Sequence, residues 1–461
     1  MHNAAGRGAR STIADRLALV GICLGFLLVL FDATAVNVAV ESVRRSIGGS
    51  DTTIPWVLNA YTVAFAALML AAGSLGDRWG SRRCFIGGLS LFAVASAACA
   101  AAPSVGLLIA ARAVQGAGAA AIVPCSLALI AHRFAPGPAR SRALAVWGGV
   151  SGIGLAAGPV VGGLLVAWAD WRAVFLVVVP LSLAGIVLVE RTLQETPRHQ
   201  QTRFDHAGQV VGAIALVCVT AAVGLVPTEG WAAVAPLALF VAGLVATVVF
   251  VGVERRCAHP MLPLGIFTRP TFSAAVAVGA LFNFALYGTI YGLASSLQVG
   301  RGLSAQTAGL ALLPLTATVA IGALLSGRVS TTFGPRHAMT LGLGGGTLGA
   351  LLLAVIDRAG SDIVLAAGGA LLGTCGLAMP AMTGLALASA PSGRLGLGAG
   401  VLNTSRQIGG ALGVALPGGI VTASATATLR VPMLIVAGAY MIAVLLALSI
   451  QPNSETSADP G

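Results

Sequence analysis

Asp32 is the single carboxylate inside the long apolar stretches of this 461-residue chain. It lies in the run 17–40, which is long enough to cross a bilayer, because a hydrocarbon core of about 30 Å takes roughly 20 helical residues. A charge at that depth costs at least ~2.5–3.5 kcal/mol, so it needs a reason to be there. Acids inside membrane helices mark ion pathways and proton relays, and Asp32 is therefore the first candidate for proton exchange.

Arg112 lies in the apolar run 105–130. Counted from the outer end of that run it is about 11 Å deep, a depth similar to that of Asp32. Gln115 follows three residues later and faces the same side of a helix. A buried arginine and a buried carboxylate at one level are natural partners, because neither is tolerated alone. The two residues form either a purely structural ion pair or, as we predict, the proton-coupling site.

The loop after the second apolar run reads GSLGDRWGSRR at 73–83. Its acid can cap the N-terminus of a neighbouring helix or pair with a loop arginine, and either contact would latch one face of the protein. The glycines allow a tight turn. Arginines that only fix the topology are the alternative. The residues that we predict to form a cytoplasmic gate are Gly73, Asp77, Arg78, Gly80, Arg82 and Arg83.

Glycines recur every four residues in the fifth apolar run, at Gly154, Gly158 and Gly162, and make one smooth helix face. Pro159 removes a backbone donor and permits a bend, and Gly163 follows the last of these glycines directly. Taken alone, a glycine face indicates only that two helices touch closely. We predict that this helix seals the contact between two halves of the protein while one side is open.

Polar residues in the remaining runs are candidates for a central cavity. Asn403, Arg406 and Gln407 lie on one flank of the run 398–422, and they either line the cavity or pair across helices. The other mid-span candidates are Asn37, Asn59, Tyr61, Gln115, Asn283, Tyr287 and Tyr291. The last two tyrosines share a helix face, where they either contact an aromatic substrate or anchor the helix at the membrane interface.

The composition places these residues in a polytopic membrane protein. Hydrophobic residues make up 57% of the chain and charged residues 9%, whereas soluble domains have about 25% charged residues. Apolar runs of about 20 residues predict fourteen helical spans. Their limits are 17–40, 55–75, 84–102, 105–130, 143–167, 172–190, 207–227, 231–253, 272–296, 305–326, 337–356, 362–389, 398–422 and 431–450.

The arginines orient the chain. With the N-terminus inside, eighteen of the 26 basic residues fall in cytoplasmic segments and six in outer ones, so both termini are predicted to be cytoplasmic. The loop after the tenth span repeats the glycine spacing of 73–83, with Gly327 and Gly334. Two parallel repeats around a cavity are typical of rocker-switch transporters. The predicted parts are a tail 1–16, a six-helix bundle 17–190, two linker helices 207–253, a second six-helix bundle 272–450 and a tail 451–461.

Other classes of protein are disfavoured. The seven cysteines have no paired spacing, which indicates neither a disulfide framework nor a metal site. The six histidines lie in tails or loops, so no span carries a cluster suited to an enzyme. Every basic residue is arginine, so the chain has no phosphate-binding loop of the lysine-containing type. Transport driven directly by ATP is therefore disfavoured. The arginines are too scattered for a nucleic-acid surface, and the longest loop is too short for a soluble sensor domain.

Several stretches resemble the major facilitator superfamily, and specifically its 14-span drug:proton antiporter branch. The stretches that carry the resemblance are LFDATAVNVAV (30–40), GSLGDRWGSRR (73–83), RAVQGAGAA (112–120), GLAAGPVVGG (154–163), WRAVFLVVVP (171–180), FDHAG (204–208), HPMLPLGIF (259–267) and GVLNTSRQIGGALG (400–413). Glu41 stands where the branch usually has Pro, Ser81 where a basic residue is usual, and Val178 where Asn is common. No polar role is therefore carried over to position 178.

The resemblance implies an all-α membrane protein with two six-helix bundles and two extra helices between them. It implies a proton-coupled antiporter that exports drugs or antibiotics across the cell membrane, powered by the proton gradient without a cofactor and working as a monomer. A cavity with one acid and many apolar residues suits neutral, zwitterionic or singly charged amphipathic molecules better than dications. The alternative is an exporter of an endogenous metabolite or lipid, or a proton-coupled importer, on the same fold.

Overall fold

A computed structural model of the protein describes residues 2–50, 53–54, 56–197, 205–230, 233–257, 260, 262–303, 305–355, 362–391, 394–418, 420 and 429–450. The side chains of residues 2–12, 151, 155–156, 159, 206, 227–228, 299, 305–306 and 418 lie outside this description. The predicted tail 451–461 also lies outside it.

Throughout the described ranges the chain forms helices and no strand, which confirms the predicted all-α class. In a bilayer a helix satisfies every backbone N–H and C=O within its own segment, so apolar runs of this length fold as helices. In chain order the helices are α1 (His2–Ile47), α2 (Trp56–Trp79), α3 (Ser81–Ala100), α4 (Val105–Arg133), α5 (Pro138–Trp168), α6 (Arg172–Leu176), α7 (Val178–Thr192), α8 (His206–Glu229), α9 (Val234–Arg256), α10 (Pro270–Ser295), α11 (Ala305–Ala311), α12 (Leu313–Phe333), α13 (Pro335–Ala354), α14 (Asp362–Gly373), α15 (Ala378–Ser389), α16 (Leu395–Gly413) and α17 (Arg430–Ser449).

Twelve helical segments in the described part of the chain are long and apolar enough to cross a membrane. Several of these segments join two of the helices above across a short break. The glycine-rich helices α5 and α16 lie at the two remaining predicted spans, 143–167 and 398–422. A helix is therefore present at each of the fourteen positions that the apolar runs predict.

The helix ends differ from the predicted limits. Helix α1 begins at His2, so the segment 1–16 that was predicted as a polar tail is helical from its second residue. The predicted span 305–326 is divided between α11 and α12, where Pro314 occupies the first turn of the second helix and cannot donate to the preceding turn. The span 362–389 contains a 3-10 turn, Thr374–Leu377, between α14 and α15.

The helices pack as two groups. In the first, α1 packs on α5 and α7, while α4 packs on α2 and α3. In the second, α10 packs on α16 and α17, while α13 packs on α14 and α17. Helices α8 and α9 pack on each other, and α8 also contacts α2. Below, α1–α7 are called the first half and α10–α17 the second half.

The two loops with the repeated glycine spacing lie at one end of the molecule, which is called the arginine-rich face. Gly80 and Gly334 have φ values of +102° and +89° there, in the left-handed region that favours glycine. At this face α2 packs on α16 and α12 packs on α5, so each repeated loop belongs to a helix that contacts the opposite half. The sequence repeat therefore corresponds to a repeated contact between the halves.

Candidate functional site

Asp32 lies on α1 and is fully buried, with 0% of its side chain exposed. Its Oδ2 accepts a hydrogen bond from Nη1 of Arg112 on α4, at 2.5 Å. Its Oδ1 accepts from Nε2 of Gln115, at 2.9 Å. Arg112 and Gln115 are one helical turn apart and reach the same carboxylate, and Nη1 of the arginine also donates to Oε1 of the glutamine at 2.6 Å. The structure thus brings together the three polar residues that the sequence placed at one depth.

Helix α2 fixes the position of the arginine. Nε of Arg112 donates to the carbonyl oxygen of Val57 at 3.0 Å, and its guanidinium carbon lies 4.3 Å from the centre of the Tyr61 ring. The hydroxyl of Tyr61 donates to the carbonyl oxygen of Val29 on α1 at 3.1 Å. Tyr61 and Gln115 are both buried and both contact the ion pair. Their predicted place beside a substrate cavity stays a prediction.

Helix α3 supplies two partners that sequence reasoning missed. Ser96 Oγ accepts a hydrogen bond from Nε2 of Gln115 at 2.7 Å and donates to the carbonyl oxygen of Phe92 at 2.8 Å. Cys99 Sγ lies 3.7 Å from Oε1 of the same glutamine. The only sequence signal was a serine and a cysteine in an apolar span, which is too common to indicate a site. With these contacts, both oxygens of Asp32 and the whole amide of Gln115 are engaged.

The stability of the buried ion pair depends on the charge of Asp32. Arg112 is 1% exposed and its charge is balanced by Asp32 in a low-dielectric interior. Removing one partner of a buried pair leaves an uncompensated charge, which costs about 3–5 kcal/mol. Binding a proton to Asp32 removes that partner chemically. The site can therefore turn protonation into a free-energy difference between conformations in which Arg112 is paired and those in which it is hydrated or paired elsewhere.

Asp77 closes the arginine-rich face. Its Oδ1 and Oδ2 accept hydrogen bonds from the backbone N–H groups of Gly396 and Leu397, each at 2.7 Å. Those N–H groups lie in the first turn of α16, where the helix dipole favours a negative charge. Asp77 belongs to the first half and α16 to the second, so one carboxylate links the two. Of the two contacts considered from the sequence, the structure contains the helix cap.

Glycine allows the halves to meet at the same place. A Cβ built at Gly73 would overlap the carbonyl oxygen of Gly396, so the backbones of α2 and α16 are in direct contact. One turn further along α16, the backbone of Gly400 faces the backbone of Met69 and Leu70. In the repeated contact, Gly327 of α12 faces Ser141 on α5. No side chain larger than hydrogen fits at Gly73 without separating the halves.

The arginines of the loop 73–83 have a different role from the acid. The backbone N–H groups of Arg82 and Arg83 donate to the carboxylate of Glu195 at 3.1 and 3.2 Å, and Nη2 of Arg82 donates to the carbonyl oxygen of Glu190 at 3.0 Å. Glu195 also pairs with the Arg83 side chain at 3.5 Å. Glu195 thus caps α3 within the first half. Arg78 and Arg83 also line a groove of about 570 Å³ among α2, α3 and α4.

We expect Glu195→Ala to destabilise the protein by about 1 kcal/mol, because it removes the cap of α3 and its interaction with the helix dipole. The measurement is the thermal unfolding midpoint of purified protein in detergent. Glu190→Ala is the matched control, since Glu190 is an exposed acid of the same segment. Equal shifts of the midpoint in both variants would show that the cap contributes nothing beyond surface charge.

The glycine face of α5 contacts a different partner from the predicted one. Gly158 and Gly162 pack on α1, against Thr34 and Ala35, inside the first half. Gly154 packs on Leu30 of the same helix. The predicted seal between the halves is therefore wrong for this face. The contact between the halves is made by other glycines of α5. They also include a pair four residues apart, which lies on a different helix face. The pairs across the halves are Gly148 with Pro380, Gly149 with Leu324 and Gly152 with Ala320.

Gly158→Ala is expected to cost about 1–3 kcal/mol, because its Cβ would overlap Thr34 and force the packed helices apart. Gly163→Ala is the matched control. Its Cβ would make only an ordinary contact, 3.8 Å from Val38, and alanine favours the helix. Thermal unfolding of the two variants in detergent measures the difference. Equal stabilities would contradict the close packing of α5 on α1. Pro159 lies between the two positions, and its side chain is outside the described residues.

A second polar cluster joins α16 to α10. Nε of Arg406 donates to Oδ1 of Asn283 at 3.3 Å, and its Nη1 donates to Oδ1 of Asn403 at 3.2 Å. Tyr287 lies within electrostatic range of Arg406, and its ring packs on Gly410 of α16. Arg406 therefore pairs across helices, one of the two alternatives, while remaining partly exposed.

The remaining candidates are dispersed. Asn37 is exposed on α1 and donates to the carbonyl oxygen of Ala33 in its own helix at 3.0 Å. Asn59 faces Gly224 of the linker helix α8, and its predicted place beside a cavity stays a prediction. Tyr291 and Gln407 are partly buried on α10 and α16. Sequence reasoning found these residues as polar positions in apolar spans, but helix rotation decides which surface each one reaches.

The protein has two groups of membrane-crossing helices that meet at a repeated contact, and one group contains a buried ion pair. This arrangement is that of a rocker-switch transporter fold. The profile of the Major Facilitator Superfamily matches residues 22–268 and 276–460. The chain belongs to that superfamily, as the sequence resemblance predicted.

Curated relatives and solved structures agree with this assignment. The methylenomycin A resistance protein of Bacillus subtilis (strain 168) is 35% identical over 432 residues, which cover 93% of this chain and 92% of that protein. The cephamycin export protein CmcT of Amycolatopsis lactamdurans is 33% identical over 482 residues, 99% of this chain and 96% of that protein. The crystal structure of the human organic anion transporter MFSD10 (TETRAN) superposes with a TM-score of 0.69, at 17% identity, over 94% of this chain and 99% of that one. At that identity the likeness shows the fold alone.

Proposed function

We propose that this protein is a proton-coupled antiporter that exports amphipathic small molecules across the cytoplasmic membrane, as a monomer and with its arginine-rich face in the cytoplasm. The observation that carries the proposal is the fully buried ion pair between Asp32 and Arg112 in membrane-crossing helices. Relatives named for antibiotic resistance or export support the class of cargo and the direction. The proton gradient supplies the energy, and no cofactor is required.

The conformation supports one step of such a cycle. The contacts of Asp77 and Gly73 with α16, together with that of Gly327 with α5, close the arginine-rich face. This is the state of a rocker-switch transporter that is shut towards the cytoplasm. Substrate release and proton entry would then take place from the outer side, and breaking these contacts would return the cavity to the cytoplasm.

The ion pair would couple these steps to the proton. Because Asp32 is fully buried and held by Arg112 and Gln115, water can bring a proton to the carboxylate only after α1 and α4 rearrange around it. Once Asp32 is neutral, the arginine loses its counter-charge and favours a different arrangement of α1 and α4. Deprotonation on the cytoplasmic side would restore the pair. Asp32 therefore acts as the site of the exchanged proton. Arg112 couples the charge of Asp32 to the arrangement of α1 and α4.

Transport by purified protein in proteoliposomes tests the proposal. We expect an amphipathic antibiotic to move against its gradient only when a pH gradient is imposed, with protons moving in the opposite direction. The substrate and the acidic buffer are each placed inside or outside the vesicles to separate an exporter from an importer. A proton-coupled importer moves substrate and protons in the same direction, whereas an antiporter moves them in opposite directions. Substrate movement that is indifferent to a protonophore would contradict proton coupling.

A further inference from the structure

Arg406 occupies a place in the second half that the proton-coupling pair does not explain. It lies on α16, ten residues after Gly396, which is about 15 Å along the helix and thus near the middle of a hydrocarbon core of about 30 Å. Helix α16 contacts α2 and α4 of the first half as well as α10. The arginine is therefore placed at membrane depth on a helix that lies between the halves.

This cation has no acid in its own half to balance it. Between residues 255 and 450 the sequence contains only two carboxylates, Asp357 and Asp362. Asp362 is 90% exposed and pairs with Arg301 at 2.8 Å, and Asp357 lies outside the described residues. Asp32 in the first half is engaged by Arg112. An arginine at this depth normally pairs with an acid or faces a pathway, and the described residues provide no acid for it.

The guanidinium retains donors for a ligand. Of its five N–H groups, two donate to the amide oxygens of Asn283 and Asn403, and the others have no hydrogen-bond partner among the described residues. The stem of the side chain packs against the backbone of Gly279, where a Cβ would lie 3.1 Å from its Cγ. The two amides and this packing hold the charged group in one orientation, while its partial exposure leaves it accessible.

We propose that Arg406 binds the anionic group, a carboxylate or sulfonate, of an amphipathic substrate. The guanidinium fork matches the geometry of such groups, and bonds of this charge-assisted type are stronger than neutral ones. Asn283 and Asn403 position the arginine, and the Tyr287 ring provides an aromatic surface beside it. The proposal rests on the proposed export function and names its substrate class. It narrows the expected cargo, which was neutral, zwitterionic or singly charged amphipathic molecules, to monoanionic compounds.

A matched pair of fluorescent probes tests the assignment. We would measure equilibrium binding of 9-anthracenecarboxylate and of its uncharged methyl ester to purified protein in phosphatidylcholine nanodiscs, with empty nanodiscs subtracted. The unmodified protein is expected to prefer the acid. Arg406→Gln is expected to weaken binding of the acid by about tenfold or more and that of the ester by less than about twofold. Arg406→Lys, which keeps the charge without the fork, should fall between the two.

The controls separate the possible roles of the arginine. Arg328→Gln removes an exposed charge from the same half and should change neither affinity. Equal loss of acid and ester in Arg406→Gln would show that the arginine only holds α10 to α16, and a protein without preference for the acid would overturn the assignment. If the acid is preferred but no proton-driven transport is seen in proteoliposomes, the export function fails and the anion site stands. If transport is driven but Arg406→Gln binds the acid normally, only the anion site fails.

Discussion

Asp32→Asn is expected to abolish transport driven by a pH gradient. Asparagine has the size of aspartate but its side chain does not titrate, so the gradient has no group on which to act. The variant also leaves Arg112 buried without a counter-charge, at a cost of about 3–5 kcal/mol. A loss of transport in this variant alone would therefore have two explanations, loss of the proton site and loss of the folded state.

A second substitution separates these explanations. In the double variant Asp32→Asn with Arg112→Gln, the buried charge is gone and hydrogen-bonding groups remain near Gln115. We expect the thermal unfolding midpoint to recover most of the loss seen in the single variant. Transport should remain absent, because no titratable group has been restored.

Counterflow exchange at equal pH provides a further readout. It requires the conformational change but no net proton movement, so the double variant is expected to retain it. Asp170→Asn is the control, since Asp170 pairs with the partly exposed Arg172 and the variant should leave gradient-driven transport unchanged. Normal gradient-driven transport in the double variant would disprove the coupling role of Asp32.

The arrangement around Asp32 could be predicted from the sequence for two reasons, the geometry of a helix and the free-energy cost of an unpaired charge in the membrane. Arg112 and Gln115 must share a helix face at a spacing of three residues, and an isolated charge in the membrane demands a partner. Ser96 could not be foreseen in the same way. A serine can satisfy itself on its own helix, so its presence in α3 shows neither a partner nor a direction. Only the packing of α3 on α4 decides that it meets Gln115.

The fold was predictable to the level of helices and repeats, but not to the level of neighbours. Helix α5 is the clearest case, because its glycines cover more than one face and the spacing identifies faces without identifying what they touch. Gly158 turned out to contact α1, and Gly152 the opposite half. Breaks such as that at Leu312 were also missed, since a proline in the first turn is compatible with an uninterrupted apolar run.

The hydrogen bonds of Asp77 with the first turn of α16, called the latch below, have no counterpart among the described residues of the repeated loop. Removing the acid therefore tests what it adds to the backbone packing. In the repeat, Gly73 corresponds to Gly327 and Gly80 to Gly334, so Thr331 stands where the first loop has Asp77. The hydroxyl of Thr331 donates to the carbonyl oxygen of Arg328 in its own helix, at 2.9 Å. Backbone packing thus occurs at both repeated contacts, but the acid that bridges the halves is present at one of them. Opening the arginine-rich face must break this bridge.

Asp77→Asn is expected to weaken closure of the arginine-rich face by about 2 kcal/mol, because it removes a charge from the N-terminus of α16 and turns an N–H donor towards a backbone N–H. The amides of Gly396 and Leu397 should lose protection, so hydrogen exchange of a peptide that covers the first turn of α16 accelerates by about tenfold or more. Gradient-driven transport should slow, since the state closed towards the cytoplasm is less populated.

Asp362→Asn is the matched control for the latch. It also neutralises an acid in the first turn of a helix of the second half, α14, but its partner Arg301 lies in the same half. We expect hydrogen exchange in the first turn of α16 to stay unchanged in that variant. Acceleration spread evenly over α10 and α16 in Asp77→Asn would indicate general loosening of the second half instead of an open latch. Unchanged exchange at Gly396 and Leu397 would show that backbone packing around Gly73 closes the face without the acid.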